Sequence, residues 1–260
     1  MPGLLSDLRV AIGFLTRVPV GDVSRGGTHD VSIARSTVWF PFVGAMVGSV
    51  GALIGWVTSS TWSAALVSCL AVIAMYLITG AFHLDGLADM ADAFGGGWTV
   101  EQRMEILKDS RLGTYGTTAL VLALLTEVVA TADLISAGGP AIFVLIGCHA
   151  MSRGMAVAVM RFAPTAGDGL GASYARELSL ARTLAAVLSA LLIGAVTFSF
   201  AEPDMAVGAA VAIVAAAMVA VSAMVVLLSQ IKIGGITGDV LGAIQVLSYV
   251  TGLLTIAAFL

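Results

Sequence analysis

The chain has 260 residues, 59% of them hydrophobic and only 11% charged, with a mean hydropathy of +1.03. That composition excludes an ordinary soluble domain and describes a polytopic helical membrane protein. A net charge of -4 with no long basic run gives no general attraction to nucleic acid, and Cys69 and Cys148 lie in apolar stretches without CxxC spacing, as small core residues do.

In chain order, residues 4–18, LLSDLRVAIGFLTRV, carry Asp7, Arg9 and Arg17 within a short apolar run, which predicts an interfacial or re-entrant helix. The start lacks the layout of a signal peptide, so insertion is expected through the first spans. A polar connection with Gly26 and Gly27 leads to a first span over Trp39–Val57, where Gly44, Gly48, Gly51 and Gly55 form a small-residue face suited to close helix packing. A second span runs over Trp62–Phe82 and a third over Tyr115–Ile135. Glu127 within the third reads either as a functional intramembrane acid or as a protonated, interhelically hydrogen-bonded one. The fourth, Pro140–Met160, holds His149, Ser152 and Arg153; His149 and Arg153 are one helical turn apart and face the same way, Arg153 being the stronger functional candidate. The remaining spans are Ala185–Phe200, Val207–Leu228 and Leu241–Leu260. The expected fold is therefore all-α: one integral membrane domain over 1–260, a bundle of about seven transmembrane helices plus the N-terminal helix.

Between the second and third spans lies the polar stretch HLDGLADMADAFGGGWTVEQRMEILKDSRLGTYG, residues 83–116, with nine formal charges in 34 residues. Asp85, Asp89 and Asp92 are spaced i, i+4, i+7, which on a helix puts all three carboxylates within about 40° of one stripe. Such a stripe repels itself unless a cation neutralises it, and all-oxygen ligation favours Mg²⁺ or Ca²⁺, with Mg²⁺ typically completing its shell from water and phosphates. Arg103, Lys108 and Arg111 follow as cations for those phosphates. Thr99 and Gln102 make a T-x-x-Q capping box for a second short helix that stops at Gly113, and Gly95, Gly96 and Gly97 form a hinge that lets the two helices fold together around a pyrophosphate. Two later segments, GDGLGA with Asp168 and GDVLGA with Asp239, each read as a Gly-Asp helix start.

With seven spans, all 12 Lys and Arg fall on one side, and the opposite turns carry only Asp133, Glu202 and Asp204. The positive-inside rule then makes the N-terminus and the 83–116 loop cytoplasmic.

FLTRVPV at 14–20, WFPFVG at 39–44, FHLDGLADMADAFGG at 82–96, RMEILKDSRLGTYG at 103–116 and the late GDVLGA closely resemble the adenosylcobinamide-GDP ribazoletransferase family, also called cobalamin 5'-phosphate synthases. The resemblance spans most of the chain and implies a multi-pass enzyme of the bacterial cytoplasmic (inner) membrane. Members join the cobinamide phosphate of adenosylcobinamide-GDP to α-ribazole or its 5'-phosphate, release GMP and require Mg²⁺. On that reading Asp85, Asp89 and Asp92 hold Mg²⁺, and Arg103, Lys108, Arg111 and Arg153 contact phosphate oxygens. Asp109 or His83 accepts the proton of the attacking hydroxyl, and Asp239 completes the metal or ribazole site. His83 sits two residues from Asp85, on the opposite helical side unless the helix breaks near Gly80. The expected partners are the two substrates and the lipid bilayer; a homo-oligomer is left open. Two alternatives stand beside it. A CDP-alcohol phosphotransferase would need DGxxAR followed by GxxxDxxxD, and Asp85-Gly86 is followed instead by Leu-Ala-Asp. A cation transporter would place its carboxylates near the membrane midplane on discontinuous helices.

Overall fold

The computed structural model describes residues 3–21, 29–167, 170–201 and 206–259. Arg25, Gly26, Gly27, Asp168, Glu202 and Asp204, which the sequence reading uses, lie outside them. Among the described residues the helices are α1 (Leu4–Leu15), α2 (His29–Ser36), α3 (Phe40–Thr58), α4 (Ala64–Thr79), α5 (Phe82–Gly96), α6 (Val100–Ile106), α7 (Thr114–Ala137), α8 (Val144–Phe162), α9 (Leu170–Glu177), α10 (Leu180–Ala201), α11 (Val207–Ile233) and α12 (Gly238–Ala257). The fold is all-α, as composition and periodicity require.

By length and composition, five helices suffice to cross a membrane: α3 with the turns before it, α7, α10, α11 and α12. The expected seven also counted what are now α4 and α8. Helix α4 has only 16 residues; it ends at Thr79 rather than running through Phe82, and it reaches span length only together with α5, from which it is bent by 90°. Helix α5 therefore lies across the end of the bundle. Helix α8 fails on polarity for a physical reason: it is wrapped by α3, α10 and α12, and residues from Val144 to Met160, including His149, Ser152 and Arg153, are buried in protein rather than facing lipid. Helix α11 shows the opposite pattern, with apolar residues such as Val219, Leu227 and Ile231 exposed. The N-terminal helix is too short to span a bilayer: its 12 residues cover about 18 Å, well short of a hydrocarbon core of about 30 Å.

The glycine face of α3 behaves as expected, but it serves more than one neighbour. A Cβ at Gly44 would collide with the His149 carbonyl, one at Gly48 would stand 2.6 Å from the Leu145 carbonyl, and those at Gly51 and Gly55 would meet Met75 and Ile142. Backbone-to-backbone approach of α3 and α8 is thus possible only without side chains there.

One end of the bundle collects the polar segments. The Arg17 amide donates to the Ile78 carbonyl at 2.7 Å, binding the chain after α1 to the end of α4. Residues 164–166 and Ile236 pair through two backbone hydrogen bonds of 2.8 and 2.9 Å, which fixes the approach to α12. Thr237 then caps α12 by accepting from the Val240 amide.

Candidate active site

The break between α4 and α5 creates the site. Gly80 (φ +64°) closes α4 in the left-handed conformation, and its neighbour Ala81 (φ +57°) follows suit, a rare state for a residue with a Cβ. A Cβ at Gly80 would also run into the Arg17 side chain, 2.8 Å from its Cγ. Two consecutive left-handed residues turn the chain through the right angle and begin α5 at Phe82.

Helix α5 then lies on the start of α12. A Cβ at Gly86 would stand 2.7 Å from the Asp239 carbonyl, and one at Gly242 would stand 3.3 Å from the His83 carbonyl. This close crossing brings Asp239 to Asp85 and Asp89. Asp85 is exposed, while Asp89 and Asp239 are half-buried. Burial, with added repulsion from Asp85, Asp239 and Asp92, pushes the Asp89 carboxyl up to about 6. Among the described residues none of these three carboxylates forms an ion pair with Lys or Arg, and no three His, Cys, Asp or Glu side chains stand close enough to hold one metal ion.

Asp92 has a different engagement. Its two oxygens accept the Gly113 amide at 2.7 Å and the Gly116 amide at 2.8 Å, so it holds the free N–H groups at the start of α7. Side chains at Gly113 or Gly116 would occupy the space of that carboxylate, which explains the glycines of GTYG.

The short second helix forms as its sequence predicts. Thr99 accepts from the Gln102 amide and the Gln102 side chain accepts from the Thr99 amide, at 3.3 and 3.2 Å. It ends earlier than expected, however, so Lys108 and Arg111 lie beyond its last residue and Gly113 belongs to the start of α7. The cations do not converge on the aspartates. Arg103 donates to the Lys232 carbonyl at 2.9 Å and the Trp98 carbonyl at 3.1 Å, locking α6 to the end of α11. Arg111 donates to Asp109 at 2.9 and 3.0 Å, and this bonding holds the Asp109 carboxyl below its usual range, making it a weaker base. Lys108 is exposed.

A cavity of about 290 Å³ opens beside the carboxylates. Asp85, Asp239, His83 and Arg153 give it polar groups, and its walls are largely apolar. Helix α5 turns His83 inward, where burial and the nearby Arg153 hold the imidazole well below its usual pKa and therefore neutral. The helix does break at Gly80, and His83 and Asp85, in the first turn of α5, both line the cavity. Arg153 is 3% exposed; its guanidinium contacts His149 Nδ1, and its Nε has no partner among the described residues. The expected pairing of His149 and Arg153 is present, with His149 packed against Tyr249 (ring centroids 3.9 Å apart) and Met75.

Sequence reasoning did not assign the aromatic lining. Phe14, Phe40 and Phe82 each lie in a quoted motif, but nothing in spacing joins residues 26 or more positions apart; only the packing of α1 against α3 and α5 does. Tyr174 on α9 likewise arrives from a distant loop.

Comparison with known proteins gives this arrangement its family. Residues 7–257 match the family model described as Cobalamin-5-phosphate synthase. The chain is 38% identical to the adenosylcobinamide-GDP ribazoletransferase of Ralstonia nicotianae over 92% of its own length and 90% of that protein's. It is 38% identical to the one of Xanthobacter autotrophicus (98% and 97% covered) and 36% identical to the one of Bradyrhizobium diazoefficiens (98% and 95%). No solved structure matches the chain. With the match running through nearly every helix that builds the cavity, the chain belongs to the cobalamin-5-phosphate synthase family.

Proposed function

We propose that the protein is a Mg²⁺-dependent transferase that joins adenosylcobinamide-GDP to α-ribazole or α-ribazole 5'-phosphate and releases GMP. The observation that carries the reading, beyond family membership, is the cavity lined by Asp85 and Asp239, with Asp89 adjoining them and none of the three paired to a basic side chain among the described residues. In the reaction a ribose hydroxyl oxygen forms a bond to the phosphorus bearing cobinamide, the bond from that phosphorus to the GMP oxygen breaks, and the hydroxyl proton passes to a base.

The donor set fits Mg²⁺ in kind and charge: two or three uncompensated carboxylates at a wet rim, with water and phosphate oxygens completing the shell. We assign Asp85 and Asp239, the two that line the cavity, to it, with Asp89 adding negative charge beside them, and Asp92 to the start of α7. The ion would neutralise charge on the pyrophosphate. Arg153, which lines the cavity, would bind a phosphate oxygen through its guanidinium and orient it. Of the two bases, His83 lines the cavity, whereas Asp109 is tied to Arg111. Lys108 and Arg111, exposed on the loop after α6, would meet the nucleotide as it enters, and Arg103 would hold α6 in place. Catalysis would rest on positioning and charge neutralisation.

The protein would lie in a bacterial cytoplasmic membrane with the polar end of the bundle in the cytoplasm, since that end carries the basic residues. Collection of the carboxylates at one end of the bundle, beside a cavity, speaks against an ion transporter with midplane ligands.

The test is GMP release by purified protein in liposomes, with adenosylcobinamide-GDP and α-ribazole 5'-phosphate, with and without Mg²⁺. Metal-dependent release, matched by cobalamin 5'-phosphate formation and lost in Asp85→Asn, is the expected result. No turnover by the wild-type protein would overturn the assignment.

A further inference from the structure

Four aromatic rings from four separate elements meet at the cavity. Phe14 of α1 stacks on Phe40 of α3 with ring centroids 5.8 Å apart, and it meets Phe82 of α5 and Tyr174 of α9 edge-on at 5.5 and 6.1 Å. All four line the cavity. Phe40 and Tyr174 are buried, and Phe82 is exposed at the mouth. The polar side chains, Asp85, Asp239, His83 and Arg153, come from α5, α8 and α12 and leave the aromatic wall apolar.

Resting on the reaction proposed above, we infer that this aromatic cavity is the binding site for the base of the α-ribazole substrate. The walls select the ligand class. A guanine ring carries donors and acceptors along its edge that must be met when it is buried, and the aromatic wall supplies none beyond the Tyr174 hydroxyl. A benzimidazole is flat and bicyclic, and its fused benzene ring is apolar, so that ring gains from edge and face contacts with phenylalanine, and the base has a single free ring nitrogen to satisfy where a guanine has several polar groups. A corrin macrocycle with its side chains is several times too large for about 290 Å³. Orientation follows as well. With the base among the rings, the attached ribose points toward Asp85, Asp239 and Arg153, where the activated phosphate would be held. The N-terminal helix, which carries no polar group into the cavity, thereby acquires a role: Phe14 completes the wall.

Two substitutions in the full-length protein test the inference by opposite means. Ala156 of α8 also lines the cavity, so Ala156→Phe fills it without removing a packing contact, while Phe14→Leu keeps the wall apolar but removes a ring. Equilibrium dialysis with α-ribazole, and separate KM values for α-ribazole and adenosylcobinamide-GDP, are the readouts. Ala156→Phe is expected to weaken α-ribazole binding and raise its KM about tenfold or more, and Phe14→Leu about fivefold, in line with the loss of base–aromatic contacts. The KM for adenosylcobinamide-GDP should move less than about twofold in both. If the wild-type protein releases GMP but neither variant changes the α-ribazole constants, or the adenosylcobinamide-GDP constant rises instead, the cavity assignment is overturned and the reaction stands. If the wild-type protein binds α-ribazole, the variants weaken that binding, and no GMP appears, the cavity stands and the reaction assignment is the one that fails.

Discussion

Replacing Asp92 separates two roles that the i, i+4, i+7 spacing cannot distinguish: metal ligand on a carboxylate stripe, or clamp on the start of α7. In the folded chain its oxygens receive the Gly113 and Gly116 amides at 2.7 and 2.8 Å, short bonds of the charge-assisted kind. Each such bond contributes about 1.5–3 kcal/mol, but Gly113 is only half-buried, so water recovers part of the loss at that amide. Asp92→Ala should therefore destabilise the protein by roughly 3 kcal/mol. For a chain of this size that corresponds to a fall in Tm of about 6–12 °C, measured by thermal unfolding in detergent. Asp92→Asn keeps one acceptor and should lose about half as much. In both variants the Mg²⁺ concentration giving half-maximal GMP release should stay within about twofold of wild type, whereas Asp85→Asn should raise it tenfold or more at nearly unchanged Tm. A normal Tm combined with a large increase in the Mg²⁺ requirement of Asp92→Ala would refute the clamp and restore Asp92 to the metal.

Gly86→Ala places a Cβ 2.7 Å from the Asp239 carbonyl, backbone against backbone, so α5 and α12 must separate; activity should fall at least tenfold while helix content by circular dichroism is retained. At the turn between α4 and α5 two neighbouring substitutions should act in opposite directions. Gly80→Ala forces a Cβ into the Arg17 side chain and should lower Tm by several degrees, whereas Ala81→Gly relieves a left-handed alanine and should leave Tm unchanged or slightly raised. Arg103→Lys loses the forked donation to the Lys232 and Trp98 carbonyls; if Arg103 holds α6 in place, Tm drops and both KM values stay within about twofold, and a selective rise in the KM of adenosylcobinamide-GDP would instead make it a substrate contact.

How much of this was legible in the sequence depends on the range of the interaction. The capping box at Thr99 and Gln102 and the α3 glycine face are local, set by helical spacing, and each forms as read; His149 and Arg153 do share a face, but only Arg153 reaches the cavity. The hinge expected over Gly95, Gly96 and Gly97 is narrower in the structure, since Gly95 and Gly96 stay within α5 and only Gly97 stands at its end, and Arg103, Lys108 and Arg111 do not gather around the aspartates. Charge complementarity within one loop suggested that they would, whereas Arg103 finds its acceptor on α11, 129 positions away. The aromatic cavity is the extreme case, since Phe14, Phe40, Phe82 and Tyr174 have no common period. Helix α8 lacks the hydropathy of a lipid-facing span for a related reason: most of its residues are buried against protein, so polar side chains are accommodated there.

That buried helix also explains why charge is tolerated so deep in the bundle. Glu127 of α7 is 1% exposed and accepts the Tyr76 hydroxyl at 2.6 Å; the Tyr249 ring stacks on His149, and His149 meets Arg153, which opens onto the cavity. Ser152 continues the polar set through the Gln245 side chain at 3.0 Å. An acid and a guanidinium thus sit in one interior with tyrosine and histidine rings between them rather than as a direct ion pair. Leaving either charge uncompensated in such a place costs on the order of 3–5 kcal/mol, whereas two well-packed apolar residues would cost nothing of the kind. The arrangement is therefore a poor way to stabilise a bundle and a good way to hold one cation fixed at a cavity. Glu127→Gln tests the point. If Glu127 serves Arg153, the variant should keep the Tyr76 contact and lose little Tm, yet lower kcat severalfold; a loss of Tm with unchanged kcat would make the acid a packing element only.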